Sequence, residues 1–241
     1  MRRVLVTGAG RGLGLEFVRQ CILRGDYVFA GFRDLNSSSE LYALTTQYPD
    51  QLNIMRLDVT DSSSIDVSYN IVNQNFDGID LLINNAGVNS KSKDMGLPAN
   101  HSVLGQLDSK KMLEMFHVNS VAPIIMAQTY LPLLIKGVNP KIVNISSVRA
   151  SISEKMQGGN YSYCASKAAL NMLTRALAFD LAQWKIIVIA IDPGWAKTDM
   201  GGKNAQITTA KSVEGMLKVV DNLSNLDTGK FLSWKGEICL W

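Results

Sequence analysis

A phenol and an amine lie four residues apart in the segment YSYCASKAAL, residues 161–170. If this segment is helical, Tyr163 and Lys167 are neighbours across one helical turn. One interpretation is a buried tyrosine beside an exposed lysine. The other is an acid–base pair, in which a fixed ammonium group lowers the pKa of the phenol from about 10 towards about 7. Tyr161 has Ala165 at the corresponding place, so Tyr163 is the candidate acid.

A glycine-rich turn follows the first apolar run, in the segment VTGAGRGLG. It fits the pattern T-G-x-x-x-G-x-G through Thr7, Gly8, Gly12 and Gly14. Glycines let the backbone turn tightly and approach a pyrophosphate, whose charge meets the exposed amides of a helix N-terminus. A flexible turn without a ligand is the alternative. The position between a strand and an amphipathic helix favours dinucleotide binding.

The choice of dinucleotide depends on the end of the second predicted strand, which reads GFRD. An enzyme that prefers NAD usually places a carboxylate there, whereas this chain has Phe32 and Arg33. Arg11 lies in the glycine turn, close to the same ribose. Two guanidinium groups can bind a 2′-phosphate, so the sequence favours NADP(H) over NAD(H). Solvated surface arginines are the alternative.

The elements that must position these residues are short β-branched runs alternating with helical patterns. This alternation is typical of a doubly wound α/β fold, a parallel sheet of about seven strands with helices on both faces. Ligands of such sheets bind outside the carboxyl ends of the strands, where the motifs fall. We expect one domain over residues 1–241. The predicted strands are 3–7, 26–32, 52–59, 79–87, 140–146, 185–194 and 229–234, and the predicted helices are 12–24, 38–48, 62–76, 109–136 and 161–183.

The composition argues against several other classes of protein. The formal net charge is only +3, without a run rich in lysine or arginine, so nucleic acid is not an expected partner. Cys21, Cys164 and Cys239 have neither disulfide nor metal spacing, which indicates reduced thiols in the cytoplasm. His101 and His117 have no clustered ligands, so no metal site is predicted. We expect neither a signal peptide nor a membrane span.

Seven motifs, in order, resemble the short-chain dehydrogenase/reductase family over essentially the whole chain. They are TGAGRGLG, LDVTD, NNAG, FHVNS, VNISS, YCASK and DPGWAKT. The segments GGNYSYCASKAALN, IDPGWAKTDMGG and FLSWKGEICLW most resemble the branch of the C-factor and Sniffer-like carbonyl reductases. The resemblance implies a single-domain Rossmann fold. It also implies hydride transfer between NADPH and a small or medium aldehyde, ketone or quinone-like carbonyl.

The resemblance also implies four catalytic roles. Tyr163 would be the general acid in carbonyl reduction and the base in alcohol oxidation, with Lys167 beside it and the cofactor ribose. Ser147, rather than the adjacent Ser146, would donate a hydrogen bond to the substrate carbonyl. Asn119 would hold a water that relays protons to Lys167.

A cofactor groove at the strand ends follows from the same resemblance. The residues after the third strand would contact the adenine, those after the fourth would shape the floor near its ribose, and those after the sixth would meet the nicotinamide side. With Tyr163 and Lys167, the predicted cofactor-binding residues are Gly8, Arg11, Gly12, Leu13, Gly14, Arg33, Asp58, Val59, Asn85, Ala86, Gly87, Pro193, Gly194 and Thr198.

Segments 88–108, 148–160 and 198–209 are expected to form the substrate pocket. An apolar pocket with a polar end suits small or medium carbonyl compounds and the corresponding alcohols. The apolar candidates for its lining are Val88, Val148, Ile152, Met156, Trp195 and Met200. Helices 109–136 and 161–183 carry apolar residues on more than one face, which favours a homodimer.

Two other functions compete with this prediction. One is a C-factor-like regulatory protein that binds NAD(P) with little turnover, against which the complete catalytic set argues. The other is an extended epimerase-like relative. Such proteins usually carry G-x-x-G-x-x-G and a longer C-terminal region, and neither feature is found here.

Overall fold

A seven-stranded parallel sheet forms the centre of the protein, in a computed structural model that describes residues 1–34, 38–90, 95 and 102–241. The strand order is β3-β2-β1-β4-β5-β6-β7, and every neighbouring pair is parallel. This confirms the predicted doubly wound α/β fold. The strands are β1 (Arg3–Thr7), β2 (Tyr27–Phe32), β3 (Leu52–Arg56), β4 (Leu81–Asn84), β5 (Lys141–Ile145), β6 (Ile187–Asp192) and β7 (Phe231–Ser233).

Seven α-helices cover the sheet within the described residues. They are α1 (Gly12–Leu23), α2 (Ser39–Gln47), α3 (Ser62–Asn75), α4 (Ser109–Phe116), α5 (Ala122–Ile135), α6 (Tyr161–Leu181) and α7 (Thr209–Asp221). Helix α7 was not among the helices predicted from the sequence. Its signals were present: Thr208 caps the helix by accepting a hydrogen bond from the amide of Lys211, and buried Val213, Met216 and Val220 recur at helical spacing.

The alternation of strand side chains divides the core into two layers. Val4 and Val6 of β1 belong to a cluster that includes buried residues of α1 and α7. Leu5, between them, belongs to a second cluster that includes buried residues of α3, α5 and α6. Helices therefore pack on both faces, and only the sheet edges and strand ends remain for binding.

The predicted helix 109–136 is interrupted by a π-helical turn at His117–Val121, between α4 and α5. The whole stretch Ser109–Ile135 is long and apolar enough to cross a membrane by length and composition alone, contrary to the sequence expectation. Half of its most apolar window is buried inside the protein. Met126 and Tyr130 lie in the core, which accounts for much of this apolar composition.

Candidate active site

The carboxyl ends of the strands bring most of the predicted site residues to one edge of the sheet. Register aligns these ends, because Asn84 of β4 pairs with Asn144 of β5, and Ile145 pairs with Ile191 of β6. The glycine turn follows β1, and the other cofactor-groove residues follow β2, β3, β4 and β6. Ser147 follows β5. Residues from distant parts of the sequence therefore meet at the same edge of the sheet.

The glycine turn requires glycine at three positions. Gly8 and Gly12 have φ values of 64° and 57°, in the left-handed region that favours glycine. A Cβ on Gly14 would lie 2.1 Å from the carbonyl oxygen of Gly8. Leu13 is partly buried, with its side chain packed against the core. The turn is therefore built for close approach of main chain to a ligand.

The N-terminus of α1 is available to an anion. Its N-cap residue, Arg11, makes no side-chain capping hydrogen bond. Side chains do cap four other helices, namely α2 by Ser38, α3 by Asp61, α4 by Asp108 and α7 by Thr208. Since the first amides of a helix have no partner within it, the start of α1 fits a pyrophosphate.

Asn85 and Thr7 support this turn from below. The Asn85 side-chain amide donates to the carbonyls of Thr7 and Gly8, at 2.9 and 3.1 Å. The Thr7 hydroxyl accepts the amides of Asn85 and Ala86, each at 3.0 Å. A Cβ on Gly87 would lie 3.7 Å from Lys167 Nζ. The end of β4 thus joins the glycine turn to the candidate catalytic residues.

Each of the two candidate arginines lies near a carboxylate at the mouth of the groove. Arg11 Nη1 donates to Asp199 Oδ2 at 3.3 Å, and both side chains are exposed. Burial acts to raise the pKa of Asp58, but hydrogen bonds from Thr60 and the charge of Arg33 outweigh it, so the pKa lies below its usual value. Exposed ion pairs contribute only about 0–1 kcal/mol, so a phosphate can compete with these contacts.

Other groove residues serve as internal supports. The amide of Asp58 donates to the Ser64 hydroxyl at 2.9 Å, and Val59 is buried. The Pro193 carbonyl accepts the Ser212 hydroxyl at 2.6 Å. Thr198 Oγ1 accepts the amide of Gly201 at 3.0 Å.

Tyr163 and Lys167 lie on the same side of α6, near its start, as the spacing predicted. Burial raises the pKa of the partly exposed Tyr163 to about 12, against the lowering effect of a hydrogen bond to Ser147. Lys167 is 5% exposed and donates to the Ile145 carbonyl at 2.7 Å. Burial lowers its pKa to about 8. The lowered tyrosine pKa is expected for a site closed by the bound cofactor and stays a prediction. In the protein chain alone, burial dominates, and the ammonium group is bonded to a main-chain carbonyl.

The two adjacent serines have different environments. Ser146 is buried, and its hydroxyl donates to Asn171 Oδ1 at 2.6 Å. Ser147 makes the hydrogen bond with Tyr163 and accepts the amide of Arg149 at 3.2 Å. The second serine is therefore the one beside the phenol.

Asn119 lies in the π-helical turn and is fully buried. Its Oδ1 accepts the amide of Val88 at 2.8 Å, while Nδ2 donates to the Val88 carbonyl at 2.8 Å and to Ser166 Oγ at 3.0 Å. The side chain thus fastens the turn to the end of β4 and to α6. Because both amide hydrogens are used within the protein, a relay water would have to be held by main-chain oxygen.

Sequence reasoning missed Asp192, the last residue of β6. Its Oδ1 accepts the amide of Val148 at 2.8 Å, and its Oδ2 accepts the amide of Gly194 at 2.9 Å. Burial raises the pKa of this carboxyl against the effect of both hydrogen bonds. Gly194 has a φ of 70°, so its turn favours glycine. An acid ending an otherwise apolar strand was the available signal.

The segments predicted to line the substrate pocket differ in burial. Val88 is buried in a small cluster with Met95 and Met115, against which Tyr163 packs. Residues 91–94 and 96–101 of the first segment, including His101, lie outside the described residues. Met200 is half-buried, whereas the other apolar candidates, Val148, Ile152, Met156 and Trp195, are exposed.

A second feature missed in the sequence is the contact of Trp241 with the segment before α6. Its main-chain oxygen accepts the amides of Ile152 and Ser153, both at 3.1 Å. The indole ring lies 5.6 Å from that of Phe231 and under the guanidinium of Arg175. The C-terminal residue thereby supports the loop that leads from Ser147 to Tyr163. In the part of the chain that the structure describes, no group of three or more His, Cys, Asp or Glu side chains is arranged to hold a metal ion.

Known proteins resemble this chain in both sequence and structure. A family model described as short chain dehydrogenase matches residues 2–209. The C-signal protein of Myxococcus xanthus is 36% identical over 163 residues, covering 68% of this chain and 93% of that protein. Short-chain dehydrogenase srdF of Neurospora crassa is 30% identical over 245 residues, covering 95% of this chain and 92% of that protein.

Two solved structures show the same likeness over the full length. The NADPH-bound carbonyl reductase from chicken fatty liver is 38% identical with a TM-score of 0.91, covering 100% of this chain and 99% of that one. The carbonyl reductase Sniffer of D. melanogaster is 29% identical with a TM-score of 0.92, covering 100% of both chains.

Proposed function

The chain belongs to the short-chain dehydrogenase/reductase family, and from this premise we propose that it is an NADPH-dependent carbonyl reductase. The carbonyl substrate would be a small or medium aldehyde, ketone or quinone-like compound. The observation that carries the proposal is the grouping of Ser147, Tyr163 and Lys167 near the end of β4, which also supports the glycine turn. These residues supply an acid, a hydrogen-bond donor and a cation at one strand edge.

The raised pKa of Tyr163 suits an acid in the reductive direction. When bound, NADPH supplies the hydride. The neutral phenol then donates its proton to the substrate oxygen, which is more basic than a phenolate once it carries negative charge. Ser147 donates a hydrogen bond to the same oxygen and holds it in place.

Lys167 and Asn119 would complete the proton path. Because its pKa is about 8, Lys167 is protonated at neutral pH and can release its proton at a slightly higher pH. Its ammonium group favours the phenolate that remains after proton transfer. The main chain of the π-helical turn, fixed by Asn119, would hold the relay water.

NADPH is favoured over NADH by the two arginines at the groove mouth. Arg11 begins α1 and Arg33 follows β2, on either side of the expected position of the adenosine ribose. The uncapped start of α1 suits the pyrophosphate. The 38% identical carbonyl reductase is described as NADPH-bound, which supports the same choice.

We infer the remaining properties of the protein from its fold. One continuous sheet draws strands from nearly the whole chain, which favours a single NAD(P)-binding domain over residues 1–241. The modest net charge of +3 and the unpaired cysteine spacing support a cytoplasmic protein without a nucleic-acid or membrane partner. Exposed Leu113, Met172 and Phe179 on α4 and α6 favour a homodimer. Light scattering tests this inference, and a monomer at micromolar concentration would contradict it.

The decisive experiment separates binding from turnover. NADPH and NADH are titrated by nicotinamide fluorescence, and absorbance decay is followed with aldehydes, ketones and quinones. Tyr163→Phe is expected to bind NADPH normally and to lose turnover, whereas the matched control Tyr161→Phe keeps both. Tighter binding of NADH, or turnover retained in Tyr163→Phe, would contradict the proposal.

A regulatory protein is the second candidate, favoured by the 36% identity with C-signal. In this role, dinucleotide binding rather than turnover would be the output. Tight NADPH binding with no reduction of any carbonyl in the panel would favour it.

A further inference from the structure

Asp192 is a buried carboxylate that the proposed mechanism does not use. It is 5% exposed and lies at the carboxyl end of β6. Its two oxygens bind the amides of different segments: Val148, next to Ser147, and Gly194, in the turn after β6. The carboxylate therefore holds the serine segment and the Pro193–Gly194 turn at a fixed separation.

Burying this group costs free energy that two amide hydrogen bonds offset only in part. The carboxyl pKa is raised, so burial exceeds the stabilisation by the amides of Val148 and Gly194. An apolar residue at the end of an apolar strand would avoid this cost but would leave both amides without their acceptor. Asp192 thus aligns the two segments at a cost in the folding stability of the protein.

Asp192 also acts through space on the phenol. Burial is the largest cause of the raised pKa of Tyr163, and the hydrogen bond to Ser147 opposes it. Among nearby charged and titratable groups, Asp192 and Cys164 raise this pKa and Arg149 lowers it. Asp192 therefore helps to keep the phenol protonated.

The C-terminal segment presents a further titratable group to the same carboxylate. Burial, followed by the charge of Asp192, raises the pKa of Cys239 to about 11, with smaller contributions from Glu154 and Glu237. The thiol is therefore neutral at physiological pH and adds no charge near Asp192.

We propose that Asp192 is a positioning residue of the reductase site, which sets the placement of Ser147 against the Pro193–Gly194 turn and places a negative charge near Tyr163. The proposal rests on the proposed function. It predicts that the charge and the shape of residue 192 have separable effects.

Asp80 provides a matched control at the opposite, amino edge of the sheet. It is also 5% exposed, and its two oxygens accept the amides of Val138 and Arg3 at 2.6 and 2.7 Å. It shares the burial and the two amide bonds of Asp192, but it precedes β4 rather than following β6. It also forms an ion pair with Arg3, whose Nη2 lies 2.6 Å from Oδ1. A general effect of neutralising a buried carboxylate would appear in Asp80→Asn as well as in Asp192→Asn.

The first measurement is the titration of Tyr163 by ¹³Cζ NMR, assigned with Tyr163→Phe, in the protein without and with NADPH. Asp192→Asn removes the negative charge of residue 192. At each alkaline pH at which the protein stays folded, we therefore expect a larger fraction of Tyr163 to be phenolate in this variant than in wild type. Asp192→Glu keeps the charge and should titrate like wild type. Asp80→Asn should leave this titration unchanged.

The second measurement is hydrogen exchange of the Val148 and Gly194 amides. Exchange is expected to be about tenfold or more faster in Asp192→Asn and in Asp192→Glu, because each variant disturbs at least one of the two bonds. For the same reason kcat/KM should fall about tenfold in both. Only Asp192→Asn should shift the alkaline limb of the reduction profile to lower pH.

An unchanged Tyr163 titration in Asp192→Asn would overturn the proposal. So would exchange of the Val148 and Gly194 amides at the wild-type rate in both Asp192 variants. The same Tyr163 shift in Asp80→Asn would overturn it too, since it would indicate a global effect. Absence of turnover in the wild type contradicts the proposed function instead, and the titration and exchange experiments still decide the role of Asp192.

Discussion

At the scale of single residues, burial displaces the pKa values of the acid and its cationic neighbour in opposite directions. The pKa of Tyr163 is raised to about 12 and that of Lys167 is lowered to about 8. At neutral pH the site therefore contains a neutral phenol and an ammonium group. This charge state suits carbonyl reduction, in which the phenol must give up a proton.

The stability of the protein is expected to depend on pH through Lys167. Its pKa falls from 10.5 in the unfolded chain to about 8 in the fold, so the fold binds fewer protons between these values. The free energy of unfolding should therefore rise by up to about 3 kcal/mol as pH increases through this window, relative to Lys167→Met. Urea denaturation of both proteins at several pH values measures the difference. Parallel pH dependence of the two proteins would show that Lys167 is not desolvated.

Replacement of Arg33 tests the choice of cofactor. Arg33→Asp places a carboxylate after β2, where it repels a 2′-phosphate and can accept the ribose hydroxyls of NADH. We expect NADPH affinity to fall about 10–100-fold and NADH affinity to rise, measured by fluorescence titration. Arg24→Asp, at the far end of α1, makes the same charge change away from the groove and should alter neither affinity. Unchanged NADPH affinity in Arg33→Asp would remove that arginine from the site.

At the scale of secondary structure, the π-helical turn between α4 and α5 is fixed by one side chain. Asn119 makes three hydrogen bonds, two to Val88 and one to Ser166, without exposure to solvent. π-Helical turns within helices frequently occur at functional sites. The turn therefore ties the geometry of the site to the packing of α6.

Removing this side chain should destabilise the turn. Asn119→Ala leaves the amide and carbonyl of Val88 without their partner, and we expect a loss of about 2–4 kcal/mol in the free energy of unfolding. Asn75→Ala is the control, since the exposed Asn75 donates only to the Ile71 carbonyl at 2.8 Å and should cost less than about 0.5 kcal/mol. Equal losses in the two variants, by chemical denaturation, would contradict the assigned role.

At the scale of the whole molecule, the two ends of the site are supported from distant parts of the chain. The N-terminal half supplies the glycine turn and its support from Asn85. The C-terminal residue Trp241 supports the loop before α6 through its main-chain oxygen. Changes far along the sequence from Tyr163 should therefore affect substrate binding.

Shortening the Trp241 side chain is expected to loosen this support. Trp241→Ala removes the ring contacts with Phe231 and Arg175, so the segment around Ile152 should become more susceptible to proteolysis. The KM for the carbonyl substrate should rise about threefold or more, while the Kd for NADPH stays the same. Trp184→Ala, beyond the far end of α6, is the control. Equal proteolysis rates in wild type and Trp241→Ala would show that the ring does not hold the loop.

The amino-acid sequence by itself determined the strands and most of the helices, and it indicated the candidate site. The buried strands are apolar runs in the sequence, and the turn after β1 contains the glycines that its conformation requires. The proximity of Tyr163 and Lys167 follows from helical geometry alone. These are local properties of the chain, so they can be read without its partners. Helix α7 could also be predicted in this way, from the capping residue Thr208 and the helical spacing of the apolar residues that follow it.

Only the tertiary structure decided the features that depend on burial and on neighbours distant in sequence. Burial raises the pKa of Tyr163 in the protein chain alone. The Asn119 contacts with Val88 and Ser166 accompany a π-helical turn in what looked like one helix. Asp192 joins two segments on either side of the site, and no local pattern indicates that both of its oxygens are used. Desolvation and hydrogen bonds across the sheet edge exist only once the strands have assembled, which is why the sequence could not show them.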